Sequence, residues 1–271
     1  MKVLIFGLGS IGSRHASNLR ALRPDAIIVG ADPVASFSMR NNDWMFTDWR
    51  NAIQCNPDAK AAIVASPTEA HLEQAMALRD AGIPFYIEKP IGTVDQITQF
   101  GRLNVDRCAV GYQYRYHPVY SEAAPVIRRN RHVRFIANDN LLARYGPDCL
   151  SVIAVHPIDT ALWLLEPARD VDIDTDGVSV TGTILHERGI SEYDCRIDIE
   201  PRRSTIASGR VRGKAALDTW SIWSLDPCNE MYLNALSAWL AWVGGAARDE
   251  RTATLVDGIA ALEVMSKVRR T

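Results

Sequence analysis

The chain of 271 residues has a pI near 6.3, with 30 Lys plus Arg against 32 Asp plus Glu. This length predicts two domains, or one large domain, with a hydrophobic core that needs no disulfide or metal for stability. The nearly balanced charge argues against a general nucleic-acid binder, and no apolar run is long enough to span a membrane. The five cysteines are dispersed and no cleavage site follows the apolar N-terminus, so we expect reduced thiols, no signal peptide and a cytoplasmic location.

Strand-like and helix-like segments alternate in the first half of the chain. Residues 68–81 predict a helix that begins with a capping sequence at Ser66 and ends before Gly82, and a similar helix start occurs at Thr93. Such alternation predicts an α/β Rossmann domain over residues 1–118, with a doubly wound parallel sheet. Its strands are expected at residues 3–6, 26–29, 61–65, 85–87 and 108–112.

The second half changes in pattern, with more strands and longer intervals between helices. Apolar and polar residues alternate in residues 178–181, which is typical of a sheet with one solvated face. Residues 119–271 therefore predict an α+β domain with an open, mostly antiparallel sheet. Strands are expected at residues 134–138, 178–185, 193–199, 204–211 and 215–223, and helices at 119–129, 157–165, 230–243 and 252–270.

A glycine motif directly follows the first predicted strand. Residues 7–12 read GLGSIG, which matches G-x-G-x-x-G at the start of a helix. In that context the glycines let the backbone approach a pyrophosphate, and the helix N-terminus donates hydrogen bonds to it. Asp32 ends the second strand, where a carboxylate binds ribose hydroxyls and repels a ribose phosphate, so NAD is favoured over NADP. The alternatives are a glycine-rich turn without a ligand and a simple Asp-Pro turn.

Lys89 lies at the carboxyl end of a predicted buried strand, where open α/β sheets bind ligands. Apolar surroundings lower the pKa of a lysine, which would let Lys89 take up the proton of a substrate hydroxyl. The alternative is a surface lysine whose charged end reaches solvent.

Several motifs occur in an order typical of one enzyme family. They are GLGSIG at residues 7–12, ASPT at 65–68 with His71, EKP at 88–90, GYQYRYHP at 111–118, HPID at 156–159 and LWLL at 162–165. With these motifs the sequence resembles the Gfo/Idh/MocA family of sugar and polyol oxidoreductases. The resemblance implies reversible hydride transfer between a nicotinamide and a carbinol carbon of a sugar, sugar acid, nucleotide sugar or polyol. It also implies self-association of the open sheet into a homodimer or homotetramer.

The resemblance also implies which residues form the site. Lys89, His156 and Asp159 would handle the hydroxyl proton, and they would bind the substrate together with Arg115 and Tyr116. No metal is expected, because the six histidines are dispersed. The predicted cofactor-binding residues are Gly7, Gly9, Ser10, Ile11, Gly12, Asp32, Ser66, Pro67, Thr68, His71, Glu88 and Lys89.

The residues of the second domain leave alternatives open. If Pro157 begins a helix, Asp159 could simply stabilise its N-terminus, and His156 could cap it. Arg115 could meet an anionic substrate group or form an ion pair between the two domains. Trp163 stands where many inositol-type members have a histidine. Two rival functions are a reductase of another carbonyl, imine or amino-acid substrate, and an NAD-binding regulatory protein without turnover.

Overall fold

The computed structural model describes residues 1–34, 43–209, 218–222 and 229–271. The chain divides into two compact units. The first unit comprises Met1–Gln113 and Tyr232–Ile259, and the second comprises Tyr114–Met231 and Ala260–Thr271. The sequence-based division at residue 118 assigned everything after it to the second domain, whereas this division returns a C-terminal segment to the first unit.

The first unit contains a parallel sheet of buried, apolar strands. Within the described residues its order is β3-β2-β1-β4-β5-β6, and every neighbouring pair is parallel. This is the strand order of the Rossmann fold, and it reverses between β1 and β4, so their carboxyl ends flank the switch point where ligands bind. The strands are β1 (Lys2–Phe6), β2 (Ile27–Ala31), β3 (Trp44–Phe46), β4 (Ala61–Val64), β5 (Phe85–Ile87) and β6 (Ala109–Val110).

Helices connect these strands, and one of the two predicted capping boxes forms its hydrogen bonds. The residues Thr93 and Gln96 form the reciprocal capping box that the sequence predicts. At the other predicted box, Pro67 is the N-cap residue without a side-chain hydrogen bond, and Ser66 Oγ instead donates to Gln74 Oε1. The helices are α1 (Ser10–Leu22), α2 (Trp49–Cys55), α3 (Thr68–Asp80) and α4 (Ile97–Gly101), with a 3₁₀ turn at Val94–Gln96.

The second unit contains a mostly antiparallel sheet, as predicted. Its described strands pair in the order β12-β11-β7-β10-β9-β8-β13, and only the β7–β10 and β8–β13 pairs among them are parallel. The helices α5 and α7 contact these strands and each other. The strands are β7 (His132–Asn140), β8 (Ala168–Thr175), β9 (Ser179–His186), β10 (Gly189–Arg196), β11 (Asp198–Ser208), β12 (Asp218–Ile222) and β13 (Arg269–Arg270); the helices are α5 (Pro118–Asn130), α6 (Leu142–Tyr145) and α7 (Val155–Leu165).

Two further helices, α8 (Asn229–Val243) and α9 (Leu255–Ser266), follow β12. The side chains of Leu236, Trp239 and Leu240 join the hydrophobic core formed by β1, β4 and α1. The Trp239 indole N–H donates to the carbonyl of Arg107 at 2.9 Å. Burial of these large side chains against the parallel sheet explains why most of α8 groups with the first unit.

Helix α7 begins earlier than the sequence predicts. A π-helical turn at Leu150–Ala154 runs directly into α7, which starts at Val155 and has Ala154 as its N-cap residue. The prediction of a helix start at Pro157 is therefore wrong, because the apolar residues before it are helical and partly buried. Asp159 lies beyond the first turn of α7, so a favourable interaction with the helix dipole does not explain an acidic residue at this position. His156 lies inside the helix and is not its capping residue.

Parts of two predicted strands lie outside the described residues: residues 210–211 of the first, and residues 215–217 and Trp223 of the second. Cys228 also lies outside them. The thiols of Cys55, Cys108, Cys149 and Cys195 are free. Within the described ranges, no helix combines the length and apolar character needed to cross a membrane. The same ranges contain no group of three or more His, Cys, Asp or Glu side chains that could hold a metal ion.

Candidate functional site at the switch point and on helix α7

The loop between β1 and α1 depends on its glycines for two close backbone contacts. Gly7 has φ +81°, and a Cβ there would lie 2.6 Å from the carbonyl oxygen of Ala65. A Cβ on Gly12 would lie 1.8 Å from the carbonyl oxygen of Gly7. These contacts bring the loop against the end of β4, where no larger side chain fits.

The remaining glycine of this loop, Gly9, has open space around its Cα. Gly9 is exposed, and a Cβ built there would have no atom within 4 Å. Gly9 is also the N-cap residue of α1, and within the described structure no side chain caps this helix. Its first backbone N–H groups thus lie beside open space at the positive end of the helix dipole. These features fit the pyrophosphate of a dinucleotide.

Asp32 follows β2 and is fixed by the backbone on both sides. Its Oδ2 accepts the N–H of Leu8 at 2.7 Å, and its Oδ1 accepts the N–H of Val34 at 2.9 Å. The first bond ties Asp32 directly to the glycine loop, so the two predicted cofactor contacts are adjacent.

The loop after β4 is tied to the segment after β5 by His71. This side chain is 1% exposed, and its Nε2 and Nδ1 lie 2.9 and 3.1 Å from the carbonyl oxygens of Ser66 and Pro90. Burial lowers the pKa of His71, which favours the neutral imidazole. Pro67 is exposed at the start of α3, and Ser66 and Thr68 beside it are half-buried.

Lys89 follows β5 and is half-buried, and its peptide bond to Pro90 is cis. The preceding residue, Glu88, is buried, and its Oε1 lies 2.7 Å from Nε2 of His15 on α1. The sequence analysis assigned no role to His15. A histidine at a core position of a helix needs a buried polar partner, and that requirement is the signal that could have found this contact.

In the second unit, Arg115 and Asp159 form a buried bidentate ion pair. Their side chains are 2% and 1% exposed. Arg115 Nε donates to Asp159 Oδ2 at 2.9 Å, and Nη2 donates to Oδ1 at 2.5 Å. Arg115 therefore forms an ion pair, but within this unit and not between domains as the alternative had it. The predicted substrate contacts of Arg115 and Asp159 stay predictions.

His156 and Trp163 lie on the same helix as Asp159, at spacings that share one face. The ring of His156 stacks on Tyr114 with centroids 4.0 Å apart and planes 6° apart. Trp163 contacts two guanidinium groups, with Arg115 at 5.6 Å and Arg128 at 5.3 Å from its ring centroid. Tyr116, another predicted substrate residue, is 5% exposed. The stacking partners Tyr114 and Arg128 were not among the predicted site residues.

Replacing Arg115 with methionine should lower the free energy of unfolding by about 3–5 kcal/mol, because the Asp159 charge would stay buried without its bidentate partner. Urea unfolding of the purified protein measures this loss. The double variant Arg115→Met/Asp159→Leu removes both charges and should recover most of the stability. A single variant as stable as the unchanged protein would contradict this account of the pair.

Comparison with known proteins adds to this geometry. Residues 1–110 match the model of GFO_IDH_MocA, described as an oxidoreductase family with an NAD-binding Rossmann fold. This match covers 110 of the 271 residues and lies within the first unit. The match covers the glycine loop, Asp32, His71 and Lys89, and it ends before the residues of α7.

Relatives of this chain include inositol 2-dehydrogenase of Agrobacterium fabrum, 27% identical over 191 residues, which are 61% of this chain and 54% of the relative. The chain thus spans about half the length of that relative. Solved structures with the same fold include the WlbA (WbpB) dehydrogenase of Thermus thermophilus in complex with NAD and UDP-GlcNAcA (TM-score 0.77, 16% identity, covering 97% of this chain and 93% of that one). Another is scyllo-inositol dehydrogenase of Lactobacillus casei with NAD(H) and scyllo-inositol (TM-score 0.78, 15% identity, 99% and 95% covered).

Proposed function

We propose that this protein is an NAD-dependent dehydrogenase acting on a carbinol carbon of a polyol, sugar, sugar acid or nucleotide sugar. The observation that carries the proposal is the open position at Gly9, beside the uncapped start of α1 and next to the anchored carboxylate of Asp32. NAD is preferred over NADP because the Asp32 carboxylate suits ribose hydroxyls and repels a ribose phosphate. The names of the relatives, inositol 2-dehydrogenases, support a polyol as the first substrate to test.

NAD, when bound, supplies the hydride acceptor. The residues of the chain would then bind the nucleotide, orient the substrate and take up the hydroxyl proton. We assign uptake of the hydroxyl proton to the Nζ atom of Lys89, because Lys89 follows β5 at the ligand-binding edge of the sheet. We assign contacts with the substrate to His156, whose ring plane is fixed by Tyr114.

Asp159 has a different part in this proposal. Both of its oxygens accept hydrogen bonds from the Arg115 guanidinium, so its charge is compensated and its orientation is fixed. We propose that the Arg115–Asp159 pair holds the face of α7 that carries His156.

The proposal includes self-association and a cytoplasmic location. Leu185 and Ile190 face each other across β9 and β10 and are 47% and 40% exposed. A second copy of the chain would cover this apolar pair, giving a homodimer or homotetramer. The cytoplasmic location rests on the odd number and wide dispersion of the cysteines.

Incubation of the purified protein with NAD⁺ and a substrate panel tests the proposal. The panel contains myo-inositol, scyllo-inositol, glucose, a uronic acid and a nucleotide sugar, and NADH formation is followed by absorbance. We expect NADH with at least one of them, and calorimetry should detect NAD binding. A second panel contains amino acids with NAD⁺ and imines with NADH. Turnover in this second panel alone would favour the rival reductase, and NAD binding without turnover in either panel would favour a regulatory protein.

A further inference from the structure

The contact between His15 and Glu88 has no part in the chemistry proposed above. Both side chains are almost fully buried, at 0% and 6% exposure, and their nitrogen and oxygen atoms are 2.7 Å apart. The pair joins α1, which follows the glycine loop, to the residue immediately before Lys89. Burial of such a pair costs desolvation free energy, so the pair is not explained by a gain in stability. The explanation has to come from what the pair holds in place.

The surroundings hold the Glu88 carboxylate in one place. A Cβ on Gly111 would lie 2.9 Å from the carboxyl carbon and both oxygens of Glu88, so this position is tight around the carboxylate. The His15 ring makes edge contacts with Tyr86 and Tyr232, whose ring centroids lie 5.3 and 6.3 Å away. Aromatic rings on two sides restrict how far the imidazole can move.

The second oxygen of Glu88 reaches the backbone of the proposed catalytic lysine. Glu88 Oε2 accepts the backbone N–H of Lys89 at 3.3 Å, while Oε1 meets His15. The carboxylate thus bridges α1 and the peptide unit from which the Lys89 side chain extends. Within the described residues, the other ring nitrogen of His15, Nδ1, is buried without a hydrogen-bond partner, so Glu88 is its one polar anchor there.

We propose that His15 and Glu88 are positioning residues that fix the backbone of Lys89 relative to the glycine loop. The expected effect on kcat rests on the proposed function, whereas the expected effect on the Lys89 backbone does not. An amine displaced by a fraction of an ångström transfers a proton poorly. The close contacts of Gly7 and Gly12 in the glycine loop are with backbone atoms and do not involve His15 or Glu88. Loss of the contact should therefore lower kcat more than NAD affinity.

Selective ¹⁵N-lysine labelling observes the Lys89 backbone directly, because the chain has only the lysines Lys2, Lys60, Lys89, Lys214 and Lys267. The Lys89→Arg variant removes one peak and so assigns the Lys89 amide. In His15→Phe, which keeps the ring volume and removes the donor, we expect the Lys89 amide to exchange with solvent about tenfold faster. His15→Gln retains a donor at the same reach and should restore slow exchange. The variant Gly111→Ala, which acts on the carboxylate from its other side, should reproduce the fast exchange.

Kinetics complete the test. We expect kcat to fall about 10- to 100-fold in His15→Phe, with the NAD dissociation constant within about threefold and partial rescue in His15→Gln. His186→Phe, the loss of another buried histidine, located in the second unit, is the matched control and should change neither quantity. Unchanged Lys89 exchange in both His15→Phe and Gly111→Ala overturns the inference. A protein without turnover overturns the proposed function instead, because the exchange measurement does not need activity.

Discussion

Lys89→Met should lower kcat/KM by about 10³-fold while the NAD dissociation constant changes by less than about threefold, because the variant loses the proton acceptor but keeps the glycine loop. Methionine retains most of the length and volume of the side chain, so the fold should be preserved. Steady-state NADH formation and calorimetry of NAD binding, on the same preparations, measure the two quantities.

Two further variants determine what Lys89 contributes. Lys89→Arg keeps the positive charge, but its guanidinium does not lose a proton at ordinary pH, so it should be as inactive as Lys89→Met. Lys60→Met removes an exposed lysine from the same unit and should leave turnover unchanged. Full activity of Lys89→Arg would mean that Lys89 acts as a fixed charge and that another group takes the proton.

Gly9→Ala should weaken NAD binding by about 100-fold, equivalent to about 2.7 kcal/mol, with little loss of stability. The methyl group meets no protein atom within 4 Å, and φ of −63° is accessible to alanine. It would, however, occupy the space through which a pyrophosphate reaches the backbone N–H groups of α1. Calorimetry gives the affinity, and thermal unfolding without NAD gives the stability.

Other glycines of the same unit provide the contrasts for this prediction. Gly101→Ala also meets open space, at the end of α4, and should leave both affinity and stability unchanged. Gly12→Ala places a methyl group against the Gly7 carbonyl and should destabilise the unit itself. Wild-type affinity in Gly9→Ala would show that the dinucleotide does not bind at this loop.

The parallel sheet of the first unit was predictable because its signals are local. Strands buried on both faces are continuous apolar runs, and the glycine spacing after β1 reflects two backbone contacts that only glycine allows. The short strand β3 and helix α2 were missed, since each has few residues and weak periodicity. The strand β3 is the edge strand beside β2, and both β3 and α2 bury few of their residues.

The second unit was harder to predict for reasons that also follow from its residues. The sequence of β8, with Asp170, Asp172 and Asp174, alternates as a strand should, yet its acidic composition hid the pattern. Arg269 of β13 compensates part of this charge by contacting Asp172 and Asp174. Arg269 lies 95 residues from Asp174 and 97 residues from Asp172 in the chain, so local sequence patterns do not predict these contacts.

The candidate site shows the same limit. Its individual residue types were identifiable, because glycines, a lysine after a strand and a His-x-x-Asp spacing each suggest a chemistry. Their partners were not, because the pairings of Asp32 with Leu8, Glu88 with His15 and Asp159 with Arg115 join distant segments. Tertiary contacts decide which polar groups are compensated, and so they decide which remain for chemistry.

The return of residues 232–259 to the first unit has a consequence for synthesis on the ribosome. Residues 1–113 emerge before α8, so the core that includes β1 and β4 lacks Leu236, Trp239 and Leu240 until translation has passed residue 240. Co-translational folding therefore cannot complete the first unit before the intervening unit has left the exit tunnel. A fragment that stops at residue 113 would expose the apolar surface that α8 normally covers, which makes it prone to aggregation.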